Sequence, residues 1–247
     1  MHNIRLKLAY DGSRYLGWQK TKMGPSIEET LESALLQILQ HSVYLQAASR
    51  TDAGVHAVGQ VVNFLTHKDL LLDKLRHSLN CVLPNDIAID TVEAALPDFH
   101  PTLDCKSKEY HYHVCYGRNQ LPTQRHFAWH FPKELDLAAM REAIPLLTGK
   151  RDFTAFCNKR INNVYPHYTR YVESIEIHEL PHKCLRLEIR GNNFLYKMVR
   201  NLVGTLLFIG CSKIRNVNLA EILASEDRRQ AGITADAKGL FLMKVNY

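Results

Sequence analysis

The sequence of 247 residues lacks any apolar run close to the ~20 residues that a membrane-spanning helix needs. Its longest apolar-rich stretch, residues 202–209, is short and is interrupted by Gly204 and Thr205. The first residues carry Arg5 and Lys7 where a signal peptide would have its apolar region. We therefore expect a soluble, intracellular protein that resides in the cytoplasm.

Cysteine is sparse and dispersed. None of the six cysteines lies within three residues of another, so the paired spacing of zinc ligands and redox motifs is absent. Disulfides are rare inside cells, and nothing in the sequence indicates secretion. We expect scattered, reduced thiols. The cysteines are Cys81, Cys105, Cys115, Cys157, Cys184 and Cys211.

The motifs of several large enzyme classes are also missing. The sequence has no GxxxxGK[ST], GxGxxG, GxSxG or HExxH. This disfavours nucleotide-hydrolysing and dinucleotide-dependent enzymes, and we expect no cofactor. His111 and His113 are spaced to share one face of a strand, but an isolated pair is more typical of a protein surface than of a metal site. We predict no bound metal.

The composition is that of a globular protein, with 46% hydrophobic and 23% charged residues, which excludes disorder, collagen and coiled coil. Lysine and arginine number 31 against 25 acidic residues, a net charge of +6. An excess of positive charge favours a polyanionic partner, because each cation that meets a phosphate releases a condensed counterion. Nucleic acid is the partner class that this balance suggests.

Hydrophobic periodicity predicts two consecutive α+β halves. The first reads strand, helix, strand, helix, strand, and the pattern starts again after about residue 106. Each half is of the split β-α-β kind, and we place the division at 1–105 and 106–247. No Gly- or Ser-rich linker separates them, so we expect the halves to pack tightly or share a sheet. Predicted strands are 4–8, 60–65, 87–91, 110–116, 172–177, 185–189 and 240–245, and predicted helices are 26–39, 70–79, 136–147, 195–206 and 219–224.

One segment, residues 48–57, combines small and turn-forming residues with a single acid and a single base. In an extended loop, residues i and i+2 face the same way, so Arg50 could pair with Asp52 and keep its carboxylate ionised. The same residues are also ordinary turn chemistry, with the Asp accepting main-chain hydrogen bonds. Spacing alone favours the turn.

Several motifs, in order and over nearly the whole chain, resemble those of the TruA-type tRNA pseudouridine synthases. The most specific is Arg50-Thr51-Asp52-Ala53-Gly54-Val55-His56, preceded by Tyr10-Asp11-Gly12-Ser13 and Gly17-Trp18-Gln19. The corroborating segments are Gly59-Gln60-Val61-Val62, Leu79-Asn80, Leu83-Pro84-Asn85-Asp86-Ile87, Phe99-His100, Tyr110-His111-Tyr112, Asp152-Phe153-Thr154, residues 194–201 and Gly239-Leu240.

The resemblance implies an isomerase that converts uridine to pseudouridine at positions 38, 39 and 40 of the tRNA anticodon stem-loop. The implied fold has two ferredoxin-like (RRM-like) halves that share a central antiparallel sheet flanked by helices, with the active cleft between the halves. The family works as a homodimer on tRNA. Isomerisation needs no redox cofactor, nucleotide or metal, which agrees with the missing motifs.

The resemblance also implies roles for individual residues. Asp52 matches the catalytic carboxylate and Arg200 its basic partner, while Tyr110 matches the aromatic residue that holds a flipped-out uracil. Leu240 is expected to line the pocket, and Arg50 to contact the tRNA or fill the place of the extruded base. On their own patterns, alternation favours Tyr110 as a packed strand residue, and Arg200 would be a solvated helix residue. Possible phosphate contacts are Lys106, Lys108, Arg118, Arg125 and Arg170.

The chain departs from the family pattern at three positions that bear on tRNA affinity. Ser49 stands where Gly is usual, which would be strained if the position needed a positive φ. Thr102 replaces a common Arg after Phe-His-x, and Glu109 stands where a basic residue is common. These positions leave the proposed catalytic residues unchanged.

The chemistry and the function class leave alternatives open. The carboxylate could attack the sugar C1′ or remove a C2′ proton to give a glycal. A non-catalytic RNA-binding module of the same fold is the main alternative function. A glycosidic hydrolase is the third, but such enzymes normally use two opposed carboxylates, and we find no second acid near Asp52 in the sequence.

Overall fold

The computed structural model describes residues 1–159 and 165–247. Over those residues the chain forms two compact units, 1–106 together with 241–247, and 107–240. Both units combine helices with β-sheet, which confirms the predicted α+β class. The linear division at residue 105 stays a prediction.

The elements have these bounds. The strands are β1 His2–Tyr10, β2 Gln46–Ala47, β3 His56–Thr66, β4 Ile87–Ala95, β5 Ser107–Tyr116, β6 Trp129–Phe131, β7 Gly149–Asp152, β8 Thr169–Leu180, β9 Cys184–Gly191 and β10 Leu240–Asn246. The helices are α1 Ile27–Leu39, α2 Leu72–Val82, α3 Leu137–Leu147, α4 Met198–Gly210 and α5 Leu219–Ser225. In the part of the chain that the structure describes, no helix is long and apolar enough to cross a bilayer.

The sheet of the first unit is built on β1, which pairs antiparallel with both β3 and β4. Residues Ile4, Leu6 and Leu8 on alternate positions of β1 are buried, as the alternation predicts for a half-buried strand. The short strand β2 pairs with the far part of β3. The two helices α1 and α2 contact each other within this unit.

Helix α1 begins at the predicted cap. The Ser26 hydroxyl oxygen accepts a hydrogen bond from the Glu29 main-chain nitrogen at 3.3 Å, which confirms Ser26 as the N-cap. The buried residues of the helix recur at helical spacing and include Leu31 and Leu35. Gln40 closes the helix in the left-handed conformation, φ 55°.

The last seven residues pack with the first unit. Phe241 and Leu242 of β10 pair in parallel with β3. The Lys106 main-chain nitrogen donates to the Asn246 carbonyl at 2.9 Å, and the Tyr247 hydroxyl donates to the Pro101 carbonyl at 3.0 Å. The chain therefore completes its first sheet with its final residues.

In the second unit the strands pair in the order β5-β9-β8-β7, all antiparallel, and β6 adds in parallel to β5. Tyr110, Tyr112 and Val114 point to the buried face of β5, as their alternation predicts. Helix α4 is almost wholly buried, which explains why most of its residues are apolar. It begins at Met198, later than the predicted start at residue 195. The reason is that Lys197 has a left-handed backbone conformation, φ 61°, which cannot be part of an α-helix.

The expectation that all cysteines are reduced is wrong for one pair. Cys115 of β5 and Cys184 of β9 stand opposite each other in the strand register and form a disulfide. They are 69 residues apart in sequence, so no local spacing could indicate the pairing. The other four cysteines are not disulfide-bonded: Cys81, Cys105, Cys157 and Cys211.

Candidate active site

Residues 48–55 connect β2 to β3 in the first unit, and together with His56, the first residue of β3, they are here called the Asp52 loop. Its start is fixed by β3. The Ala48 nitrogen donates to the Val61 carbonyl at 2.8 Å. The buried Gln60 amide makes two bonds to Ser49, accepting from its nitrogen at 3.2 Å and donating to its carbonyl at 2.7 Å. Gln60 therefore supplies the main chain of Ser49 with the two hydrogen bonds that a neighbouring strand would otherwise provide.

Thr51 anchors the middle of the loop. Its carbonyl accepts from the Trp18 nitrogen at 3.0 Å, and its hydroxyl lies 2.7 Å from the Tyr10 hydroxyl in a buried contact. The Gln60 amide nitrogen also donates to the Tyr10 hydroxyl at 3.3 Å. Because Thr51 precedes Asp52, these bonds fix the backbone that carries the carboxylate.

Two glycines let the chain of residues 12–17 approach this loop closely. A Cβ on Gly12 would lie 2.0 Å from the Val55 carbonyl oxygen. Gly17, with φ +98°, would place a Cβ 2.7 Å from the Thr51 carbonyl oxygen and 3.0 Å from the Ala53 nitrogen. The glycines of the two N-terminal motifs therefore have a steric role, which is to support the Asp52 loop.

Beyond Asp52 the loop makes a turn, with the Val55 nitrogen donating to the Asp52 carbonyl at 3.1 Å. The Asp52 side chain is half-buried and the Arg50 side chain is exposed. Ser49 is not among the described residues with positive φ, so its replacement of glycine causes no strain of that kind. Because Asp52 is only half-buried, a ligand can reach its carboxylate. The hydrogen bonds of the loop define the position of the residue that carries it.

His56 ends the loop and is buried. Its ring stacks on Phe241 at 4.5 Å between centroids, and its Nδ1 lies 3.1 Å from both the Gly12 nitrogen and an Asp11 carboxylate oxygen. Partial burial alone would raise the pKa of Asp11, but hydrogen bonds from Ser13 and the neighbouring His56 outweigh it and lower the pKa. The motif around Asp11 is thus a structural support for the loop.

The remaining predicted site residues lie in the second unit. Tyr110 on β5 is buried, and its ring meets the Phe194 ring edge to face at 5.3 Å. Arg200, in the first turn of α4, is half-buried and donates from Nε to the Ala235 carbonyl at 2.7 Å. Leu240 is buried at the start of β10.

Tyr112 supports the segment that leads to Leu240. Its hydroxyl donates to the Asp236 carbonyl at 2.7 Å. Burial, followed by the nearby Asp236 charge, raises the pKa of Tyr112 well above its usual value, so the phenol stays protonated and keeps donating. A Cβ on Gly239 would lie 2.8 Å from the Tyr112 ring, which shows how closely this segment packs on β5.

The predicted phosphate contacts fall into two groups. Lys106, Arg118 and Arg125 are exposed. Lys108 and Arg170 are buried, and Arg170 donates from Nη1 to two main-chain carbonyls, those of residues 167 and 169. Burial lowers the pKa of Arg170. A phosphate contact by either buried side chain would require it to become accessible.

The two other departures from the family pattern also have structural partners. The Thr102 hydroxyl donates to the Ala47 carbonyl at 2.7 Å, which ties the neighbouring loop to the strand before the Asp52 loop. Glu109 accepts from Arg190 at 2.9 Å and lies 2.9 Å from the His111 ring. Both residues therefore make hydrogen bonds within the protein.

Two side-chain groups on the sheet of the second unit have the donor types of a metal site. They are Glu109, His111 and Glu188, and Glu176, His178 and Glu188. The two less exposed carboxylates already have cationic partners, since Arg190 binds Glu109 and Arg186 binds Glu188 at 2.7 Å. We interpret both groups as an ion-pair network, because guanidinium groups already supply the positive charge that a metal would bring.

Comparison with known proteins agrees with the motif order. The sequence profile described as tRNA pseudouridine synthase matches residues 8–103 and 143–247. A tRNA pseudouridine synthase A 2 of Protochlamydia amoebophila (strain UWE25) is 54% identical over 100% of this chain and 95% of its own length. A tRNA pseudouridine synthase A of Thermoanaerobacter sp. (strain X514) is 38% identical over the full length of both chains.

Among solved structures, a chain of a Cbf5-Nop10-Gar1 complex matches with a TM-score of 0.40 and 13% identity, covering 97% of this chain and 48% of that one. The sequence comparisons define the class as an RNA-modifying isomerase. The chain belongs to the tRNA pseudouridine synthase family, and within it to the TruA type.

Proposed function

We propose that this protein isomerises uridine to pseudouridine at positions 38, 39 and 40 of the tRNA anticodon stem-loop, with Asp52 as the catalytic carboxylate. Family membership makes it an isomerase that acts on tRNA. One observation carries the assignment of Asp52: it is a half-buried carboxylate on a loop held by bonds from Gln60, Tyr10 and Trp18. Such positional control suits chemistry that depends on geometry.

The reaction balances without an added group. The bond between uracil N1 and the sugar C1′ breaks, the base turns, and a new bond joins C5 to C1′. The proton on C5 is lost to solvent, and N1 gains one. Asp52 either attacks C1′ as a nucleophile or removes a C2′ proton to give a glycal, and both routes use an ionised carboxylate.

The other residues of the proposal handle the base and the RNA. A base inside a stem is inaccessible, so the uridine must leave the stack. We assign its stacking surface to Tyr110 and assign Arg200 as the basic partner of the carboxylate, with Leu240 lining the pocket. Arg50 is exposed, two residues before Asp52 in the chain, and is assigned to the tRNA. Among the remaining cations, the exposed ones best suited to phosphates are Lys106, Arg118 and Arg125.

The alternative of a non-catalytic RNA-binding module is less well supported. Binding a polyanion gains nothing from a carboxylate near the ligand, because like charges repel. A loop with an accessible acid, supported by buried polar bonds on several sides, is difficult to explain by RNA binding alone.

The test uses unmodified tRNA labelled with tritium at uracil C5, without added metal or nucleotide. We expect release of label to water by the protein and loss of release in Asp52→Asn, with tRNA binding retained in a filter assay. Asp90→Asn is the matched control, because Asp90 is an exposed acid of the same unit that pairs with Lys7. Activity in Asp52→Asn would remove Asp52 from its role. Binding without release would favour the module, and free uracil would indicate a hydrolase.

Two further measurements test the finer parts of the proposal. Transcripts with cytidine at 38, 39 or 40 should each lose the corresponding share of label release, and unchanged release would place the target elsewhere. Tyr110→Phe should retain more activity than Tyr110→Ala if stacking is the main duty of the ring. Equal losses would assign the function to the hydroxyl.

The proposal includes two further properties that the family resemblance implies, the oligomeric state and the cellular location. We propose a homodimer, which sedimentation equilibrium would report as twice the 28.4 kDa mass of the chain. We also propose a cytoplasmic location, which cell fractionation with an antibody would test. A monomer at micromolar concentration, or recovery with membranes, would overturn the respective statement.

A further inference from the structure

Polar side chains of the segment 226–236 form a hydrogen-bonded network with Asn201 of α4 in the second unit. Arg228 is at its centre. Its Nη1 donates to the Gly232 carbonyl at 2.7 Å, and its Nη2 donates to the Asn201 amide oxygen at 2.8 Å and the Thr234 hydroxyl at 3.0 Å. The Thr234 hydroxyl donates in turn to Asn201 at 2.7 Å. We call Arg228, Asn201, Thr234 and Gly232 the Arg228 latch.

Asn201 connects the latch to the core. Its side chain is completely buried, and its amide nitrogen donates to the Phe156 carbonyl at 2.7 Å and to the Asn158 amide oxygen at 2.8 Å. The amide of Asn201 therefore has bonds on both its oxygen and its nitrogen. A buried network in which each member has partners defines one arrangement of the chain.

The segment held by the latch lies directly against α4. The Gly232 nitrogen donates to the Thr205 hydroxyl at 2.9 Å. A Cβ on Gly204 would lie 1.7 Å from the Ile233 carbonyl oxygen, and a Cβ on Gly232 would lie 2.5 Å from the Gly204 carbonyl oxygen. Main chain thus meets main chain without an intervening side chain, and a small shift of the segment would be transmitted to its neighbours.

The same segment binds Arg200 at two points. Ala235 accepts a hydrogen bond from Arg200 Nε at 2.7 Å, and its nitrogen donates to the Arg200 carbonyl at 3.1 Å. Asn201, the latch residue, is the next residue along α4. The orientation of the Arg200 guanidinium therefore depends on where residues 232–235 lie, and the latch fixes that position.

We propose that Arg228 is a positioning residue for Arg200, acting through the segment 232–235 without touching the substrate. The inference rests on the proposed role of Arg200 as the basic partner of Asp52. A planar guanidinium with donors in several directions can bind a carbonyl, an amide oxygen and a hydroxyl at once, and a lysine ammonium cannot reproduce that geometry. Burial lowers the pKa of Arg228, as expected for a cation withdrawn from water.

The first test separates positioning from binding. Arg228→Gln removes the fork, and we expect single-turnover rates on labelled tRNA to fall about 10- to 100-fold, because small misplacements of catalytic groups have costs of that order. The KM for tRNA should change by less than about threefold, since the phosphate contacts are untouched. Arg229→Gln is the matched control, because that neighbour has an 89% exposed side chain and pairs with Asp227. A normal rate in Arg228→Gln would overturn the proposal.

A double-mutant cycle distinguishes positioning from a general structural role. In an Arg200→Lys background, which lacks the guanidinium, we expect Arg228→Gln to change the rate by less than about twofold, because the group that it positions is gone. Equal losses in both backgrounds would show that Arg228 acts on stability or on another group, and would overturn the proposal. Added guanidinium ion at millimolar concentration should restore part of the rate of Arg228→Gln and none of Arg228→Lys, where the ammonium still occupies the space.

A milder variant covers the case in which Arg228→Gln does not fold. Thr234→Val removes the two bonds of the Thr234 hydroxyl, to Arg228 and to Asn201, but keeps the shape of the side chain and the Arg228 fork. It should give a smaller rate loss that also disappears in the Arg200→Lys background. Loss of the same size in both backgrounds would contradict the proposal. An inactive wild-type protein would contradict the proposed function, whereas an active wild type with unaffected latch variants would contradict this inference alone.

Discussion

Gly17→Ala should disable the proposed active site without unfolding the protein. Gly17 has φ +98°, and an alanine there would place its Cβ 2.7 Å from the Thr51 carbonyl oxygen, where ordinary contact begins at 3.4 Å. The Asp52 loop would have to retreat by roughly 0.7 Å, and misplacement of about 1 Å can cost about 100-fold in rate. We therefore expect a fall of about 10- to 100-fold in single-turnover label release.

Gly149 provides a matched control for the effect of backbone strain alone. Gly149 has φ +85°, and nothing lies within 4 Å of the position of its Cβ. The left-handed backbone alone should cost alanine at either position about 1–2 kcal/mol of the free energy of unfolding, because that conformation is disfavoured for residues with a Cβ. For a chain of this size that corresponds to a fall of about 2–8 °C in Tm.

Comparison of the two variants separates the effect of close contact with the Asp52 loop from the effect of backbone strain. Calorimetry should give a lower Tm for Gly17→Ala than for Gly149→Ala, because only the alanine at position 17 also meets main-chain atoms. At a temperature where both variants are folded, only Gly17→Ala should lose activity. If Gly17→Ala keeps the wild-type rate, close approach at this glycine does not control the position of Asp52. If Gly149→Ala loses as much activity, the effect is due to general destabilisation, and the reasoning from contact distances is refuted.

Three further predictions concern stability. The lowered pKa of Asp11 means that Asp11→Asn should destabilise the protein at neutral pH. In urea titrations the difference should shrink as pH falls below the ordinary value of 3.8, and a difference that stays constant over that range would contradict it. Tyr10→Phe leaves the buried Thr51 hydroxyl without its partner and should cost about 1–3 kcal/mol, and an unchanged urea midpoint would argue against this contact. Thiol counting in denaturant should find four reactive cysteines before reduction and six afterwards if Cys115 and Cys184 are linked, whereas six at the outset would exclude the bond.

Local patterns predicted much of the fold because they are set by neighbours in sequence. The cap at Ser26 and the alternation of Tyr110, Tyr112 and Val114 required only residues within one element, and both are confirmed. The short strands β2, β6 and β7 were not predicted, because two to four residues are too few to show a period.

Features that depend on distant partners could not be predicted from one sequence. Cys115 finds Cys184 through the register of β5 and β9. Arg228 reaches Asn201 and Asn158 across 27 and 70 residues, and in the sequence it resembles any charged residue after a short helix. The resemblance identified Asp52 as a candidate, but the support that Tyr10, Gln60 and the close glycines give its loop is apparent only in three dimensions.

The pairing of β10 with β3 has a consequence for biosynthesis. During translation the nascent chain emerges with residues 1–106 first, yet the sheet of that unit lacks its parallel strand until residues 241–247 leave the ribosome. Domains usually fold in the order of their synthesis, but this arrangement delays completion of the first unit until the whole second unit has been synthesised. Chains truncated before residue 241 should therefore have a first unit, and not only a second, that is vulnerable to proteolysis.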